Sequence, residues 1–269
     1  MKWLILPKAS ALGLTSKPSR FIIREIDLGD FDLNTSACFC GSGRHYKNCH
    51  SEVRENSTLS SLFEAFRIID EDVKSASLAP ECELGCSVCC GDVFEVSFPE
   101  YLAILIHLQK KHSGFFSYRI RKIEEAAHSY TKTYDELKAF HGNISGMRLT
   151  MPCIFLDNRS ENCRIYEVRP LLCRFYGYYS SAGDCVSAKN QLAFLPNHVQ
   201  EISSKLLGDT IDGNKIFEPL AQPLVYWFGQ SPFYKSDKFK KLFVTTNEKG
   251  IDEYVHMTIH EDFSEWFSI

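Results

Sequence analysis

The chain has 269 residues, enough to bury a sizeable core as one main domain with a smaller attachment. Its 44% hydrophobic and 24% charged content is that of a globular protein and excludes a disordered or fibrous chain. A net charge of -4 speaks against broad binding to a phosphate backbone, which needs a basic surface, so no nucleic acid is expected as a partner.

In chain order, the opening run Met1-Lys2-Trp3-Leu4-Ile5-Leu6-Pro7 is too short for a signal-peptide core, and Lys8 breaks it. No later stretch approaches the roughly 18 uncharged apolar residues that a membrane helix requires. The chain is therefore expected to be cytoplasmic, with no membrane partner and with its thiols reduced. Residues 21 to 28 mix β-branched and charged side chains like an edge strand. Leu59, Leu62, Phe63, Phe66 and Ile69 then recur at helical spacing behind a capping box of Ser61 and Glu64, which predicts a helix to about Lys74.

A turn-rich stretch, Cys82 to Gly91, leads into Ser97-Phe98-Pro99-Glu100, a helix start with Pro in the first turn and Glu reaching back. Tyr101, Leu102, Leu105 and Leu108 are expected to face the core. Ile120, Ile123, Ala127, Tyr130, Tyr134 and Leu137 repeat at steps of three and four until Gly142, predicting a long amphipathic helix. Cys153 to Leu156, a polar turn over 157–162 and Cys163 to Tyr166 fit a small hairpin, and Arg169-Pro170 restarts a helix with Cys173 one turn in. Asn197, Val199, Ile202, Leu206 and Gly208 mark a further capped helix. The aromatic tail, with Tyr226-Trp227-Phe228 and Trp266-Phe267, is expected to pack rather than bind. The fold class is mainly α with small irregular or β-hairpin metal-binding segments, an α+β arrangement stabilised by metal.

All eleven cysteines fall in two clusters. In a reducing compartment such clusters point to metal rather than disulfides, because ionised sulfur binds zinc and iron tightly. The first cluster is Cys38, Cys40, Cys49 and His50, spaced as C-x-C, eight residues, then an adjacent Cys and His. Gly41 and Gly43 suit a chain that turns round an ion, and Arg44 and Lys47 would offset thiolate charge. The second cluster comprises Cys82, Cys86, Cys89, Cys90, Cys153, Cys163, Cys173 and Cys185. Eight thiols allow two tetrahedral sites, one binuclear site, or one four-cysteine iron–sulfur cluster with thiols to spare. Arg169 and Arg174 stand beside these thiolates in sequence, as cations for the site or as partners of Glu161 or Glu167.

The stretch Cys38-Phe39-Cys40-Gly41-Ser42-Gly43-Arg44-His45-Tyr46-Lys47-Asn48-Cys49-His50 resembles the SEC-C motif, a short zinc module also present in the preprotein translocase ATPase, where it is a docking surface. The resemblance implies zinc at Cys38, Cys40, Cys49 and His50, with His45 a non-ligand, and a protein partner. The blocks Gly85-Cys86-Ser87-Val88-Cys89-Cys90, Pro152-Cys153-Ile154-Phe155-Leu156 and Cys163 through Phe175 resemble the YkgJ-like cysteine-cluster family of zinc- or iron-chelating domains, over roughly 82–186. Some relatives are described as iron–sulfur oxidoreductases, and a flagellin lysine N-methylase is similar in its cysteine blocks.

Four segments follow from these readings: 1–35 extended, 36–56 the SEC-C-like module, 57–190 the cysteine-cluster domain, and 191–269 a helical, aromatic-rich extension. The expected function is metal binding, with zinc at the module, zinc or iron at the second cluster, and the module docking another protein. An iron–sulfur redox enzyme or a lysine-N-methylase-like enzyme is the alternative. The sequence lacks a glycine-rich phosphate loop and a serine nucleophile elbow, which turns the expectation away from an enzyme. His107, His112, His128 and His141 lie among charges and read as solvated.

Overall fold

A computed structural model of the chain describes residues 36–75, 87–111, 116–142, 144, 147, 149, 151–157, 159–175, 201–202, 220–229 and 233–259. Helix α1, Thr58–Ser75, begins one turn earlier than the Ser61–Glu64 pair suggests. The Ser57 hydroxyl accepts the Ser60 N–H at 3.1 Å, satisfying one of the amides that a helix start leaves bare. Glu64 instead lies within the helix and pairs with Arg67. The expected stripe of Leu59, Leu62, Phe63, Phe66 and Ile69 is buried throughout.

Strand β1, Glu95–Ser97, runs into helix α2, Phe98–Lys111. Glu100 reaches back to Ser97, just before the helix, and accepts both its N–H and its O–H, as the sequence pattern predicts of the glutamate. Phe98 through Ile106 are all buried, so α2 is the central helix of the core rather than an amphipathic surface one. Helix α3, Phe116–His141, ends at Gly142, whose φ of 76° and N–H to Lys138 O close the last turn.

The hairpin forms with β2, Leu156–Asp157, opposite β3, Asn162–Cys163, and Glu161 adopts a positive φ in its turn. Helix α4, Leu171–Phe175, follows directly after Pro170. Strand β4, Ala221–Pro223, pairs antiparallel with β1 and places Val96 opposite Gln222. Helix α5, Leu224–Gly229, packs along α3 so closely at Gly229 that a Cβ there would come within 2.5 Å of Thr131 Cγ2. Helices α6, Asp237–Glu248, and α7, Ile251–Ile259, complete the described core, with Ser236 capping α6 through the Phe239 N–H.

Tyr226, Trp227 and Phe228 are buried, as expected of packing residues. Trp227 stacks on Tyr101 at 5.0 Å and 11° and donates its indole N–H to Val96 O at 2.6 Å, so one side chain locks α5 to both α2 and β1. Beside them Phe98, Phe233 and Phe239 pack edge-on against one another. The fold is thus mostly helical with two-stranded antiparallel sheets. Among the described residues no helix is long and apolar enough to cross a membrane. The edge strand expected at 21–28 and the pair Trp266-Phe267 lie outside the described residues. So does most of the helix expected at 197–208, although Ile202 of its stripe is described and buried.

Candidate metal centres

The first centre is built by two turns that face each other. Positive φ values at Gly41 (71°) and Gly43 (70°) reverse the chain after Cys40, and the Gly41 N–H donates to Cys38 O. A single 3-10 turn, Tyr46–Asn48, then delivers Cys49 and His50, whose N–H groups both return to Tyr46 O. The outcome is a compact donor set: the ligand atoms of Cys38, Cys40, Cys49 and His50 all lie within 4.8 Å of one another. Cys40 Sγ and Cys49 Sγ are 3.5 Å apart, and His50 Nδ1 is 3.3 Å from Cys38 Sγ and 3.4 Å from Cys49 Sγ. Tetrahedral zinc with bonds of about 2.3 Å to sulfur separates its thiolates by about 3.8 Å, so the geometry fits that ion.

The electrostatics fit as well. Burial pushes the Cys38 thiol up, and the neighbouring Cys40 and Cys49 add to that. Burial also raises Cys40, but hydrogen bonds from His50, the Ser42 side chain and the Ser42 backbone outweigh it and hold this thiol well below the usual range. A thiolate at Cys40 is therefore favoured before any ion arrives. His45 is exposed and outside the donor set. Arg44 and Lys47 are exposed on the turn.

The module does not stand apart from the body of the protein. His50 lies 4.4 Å from the Phe63 ring of α1 and stacks on Phe39 at 5.5 Å, while Lys110 of α2 donates to Cys49 O and pairs with Glu52 at 2.5 Å. Arg67 of α1 lies over Gly41, where a Cβ would come within 2.1 Å of its Cδ. Asn247, at the end of α6, accepts the Arg54 N–H at 3.0 Å and donates to Glu52 O at 3.2 Å.

The second cluster is assembled differently. Cys90, Cys153, Cys163 and Cys173 line one apolar chamber of about 100 Å³, walled by Val93, Val96, Tyr134, Ile154, Ile165 and Tyr166. The segments carrying them are tied by backbone: Cys153 N–H to Cys90 O at 2.7 Å, and Cys163 opposite Leu156 across the hairpin. Burial, and next the Cys153 thiol, push the Tyr134 hydroxyl up to about 12. The seven cysteines whose side chains are described are thiols rather than disulfides. Among the described residues, however, the first centre is the only set of three or more such donors within 4.8 Å of one another. Cys82, Cys86 and Cys185 lie outside the described residues, and of Cys89 only the backbone is described.

Arg169 and Arg174 do not pair through their side chains with Glu161 or Glu167. Both converge on Asp70 of α1, at 3.5 Å and 2.5 Å, and Arg174 also donates to Glu167 O. Arg174 is 2% exposed and lies 4.1 Å over the Phe66 ring, and Arg169 lies 4.0 Å over Tyr166. Desolvation, then the Arg169 charge, lower the Arg174 guanidinium to about 10. His107 differs from the solvated expectation: its side chain is largely buried and its Nδ1 is 3.4 Å from Glu167. His128 and His141 are exposed as expected, and His112 lies outside the described residues. Asp70 and Glu100, which anchor the Cys173 segment, carried no sequence signal for that role beyond the capping pattern at Glu100.

Residues 81–195 match the model of the CxxCxxCC family, described as "Putative zinc- or iron-chelating domain", and residues 35–52 match the SEC-C motif. An uncharacterized protein of Methanocaldococcus jannaschii is 42% identical over 43 residues, which is 16% of this chain and 24% of that protein. The chain thus spans about a quarter of that relative's length. No solved structure matches the chain.

Proposed function

We propose, from a chain that joins a SEC-C motif to a zinc- or iron-chelating domain of the CxxCxxCC family, that this protein is a two-centre metal-binding protein. Zinc is held by Cys38, Cys40, Cys49 and His50, and zinc or iron by the thiols of the second cluster. The observation that carries the reading is the compact donor set of three sulfurs and one imidazole within 4.8 Å. Such a site closes a short loop round an ion that has no geometric preference of its own and accepts four soft or borderline ligands. Metal analysis of protein purified without air tests it. Bound zinc that falls by one ion per chain in Cys40→Ser supports the N-terminal centre, and folded protein free of zinc and iron overturns the proposal.

The module is also proposed to dock another protein. Its turn over 41–45 faces solvent, while its opposite side is taken by Phe63 and Lys110. The neutral replacements Arg44→Gln with Lys47→Gln are expected to release a partner that co-purifies with the wild type, in protein whose zinc content is measured alongside. A partner retained by the double variant sinks this part.

One observation favours a second reading, an iron–sulfur redox or protein-modifying enzyme. The four described thiols of the second cluster line one apolar chamber. A sulfide-bridged cluster spans thiolates set further apart than a single zinc does, and an apolar wall tunes its potential. Brown protein that bleaches on reduction supports this reading; colourless protein with thiolate-bound zinc at the chamber discards it.

A further inference from the structure

The helix carrying Cys173 has only five residues, too short to hold itself, so its position must come from elsewhere. Two carboxylates supply it. Glu100, 1% exposed, uses one oxygen to accept both the N–H and the O–H of Ser97, at 2.7 and 2.6 Å, which closes the first turn of α2. Its other oxygen accepts the N–H of Leu171, the first residue of α4, at 2.7 Å. Toward the far end of α4, Arg174 is held by Asp70.

A capping box needs only one oxygen, and it ordinarily sits at the solvent surface. Here the cap is sealed inside the core, where an ionisable group is costly unless donors surround it. Three donors do, and one of them comes from Leu171, two residues before Cys173 on the same short helix. We infer that Glu100 is a positioning residue for the second metal centre: its carboxylate ties the start of α2 to the start of α4 and so sets Cys173 in the chamber wall. The inference rests on the reading of the chamber as a metal centre.

Glu100→Gln keeps the shape but replaces one acceptor oxygen by an N–H2, so the backbone N–H of either Ser97 or Leu171 loses its acceptor. In reductant-protected protein carrying the metals it acquired during expression, the alkylation of Cys173 by N-ethylmaleimide is mapped by peptide mass beside that of Cys40. The variant is expected to speed alkylation at Cys173 about tenfold, the lower end of what losing an outer support costs a metal site. The rate at Cys40 stays unchanged. A rise at both cysteines together reports general loosening and overturns the inference. Protection of Cys173 that is equal in wild type and variant overturns it too, while leaving the metal reading intact. A wild-type Cys173 that reacts as fast as a thiol of the unfolded chain, in protein with metal at the N-terminal centre alone, instead sinks the metal reading of the chamber. Should the variant not fold, hydrogen exchange of the wild type decides: the Leu171 N–H is expected to exchange as slowly as the interior of α2, and exchange within the dead time refutes the tie.

Discussion

Asn247→Ala tests whether the N-terminal metal module is fastened to the C-terminal helices. The side chain is 3% exposed, and it holds the Arg54 N–H at 3.0 Å and Glu52 O at 3.2 Å. Truncation strands both backbone groups. Each such hydrogen bond contributes about 0.5–1.5 kcal/mol net, and because Glu52 and Arg54 are half-buried, water replaces part of the loss. The two bonds and the small cavity together amount to about 2 kcal/mol. At 1.4 kcal/mol per factor of ten, the detached form becomes about 30-fold more populated. For a protein of this size the midpoint of thermal unfolding falls by about 4–8 °C. Circular dichroism melts of zinc-replete wild type and variant measure the shift, and tryptic cleavage within 44–54 reads the detachment directly. Asn247→Asp keeps the acceptor for the Arg54 N–H but sets a carboxylate oxygen against Glu52 O in a buried place, so at neutral pH it is expected to destabilise at least as much as alanine. A melting point within 1 °C of wild type, with unchanged cleavage, would refute the fastening.

Gly41→Ala is expected to weaken zinc binding, because a φ of 71° costs a side chain about 1–2 kcal/mol and the new methyl meets Arg67; competition with a chromophoric chelator measures it. Trp227→Phe leaves Val96 O without its indole donor inside the core, and urea unfolding should show a loss of about 1–3 kcal/mol with the slope unchanged. At the hairpin, backbone N–H groups of Arg159 and Ser160, then the Arg164 side chain, hold the Asp157 carboxyl below the usual range. A depressed acid contributes stability above its unfolded pKa and loses it as pH falls through the folded one, so the turn should loosen only in acid. An Asp157 carboxyl titration by NMR that shows no depression removes that support.

The elements that announced themselves in sequence are those whose signal is local. The C-x-C-G-S-G turn needs positive φ at its glycines, the α2 cap is spelled out in four consecutive residues, and the long repeat from Ile120 to Gly142 marks α3. Where the signal competes with an equivalent one nearby, it misleads: Ser57 caps α1, although Ser61 and Glu64 fit the same pattern one turn later. Contacts across the fold left no trace. Nothing around Asp70 indicates that Arg169 and Arg174 will both turn to it, and nothing around Asn247 indicates that it will meet residues 52 and 54. Cys90, Cys153, Cys163 and Cys173 were legible as metal-ligand types, but their arrangement around a chamber depends on a backbone bond between Cys153 and Cys90 that no spacing encodes.

The seam between the module and the α6–α7 junction joins residues far apart in the chain, since the Arg54 N–H donates to Asn247 Oδ1 across 193 positions. At translation speeds of about 5–20 residues per second, the cysteine turn leaves the ribosome roughly 10–40 seconds before its seat has been synthesised. An ion can thus meet the turn while it is still bare on the growing polypeptide, and closure against α6 comes afterwards.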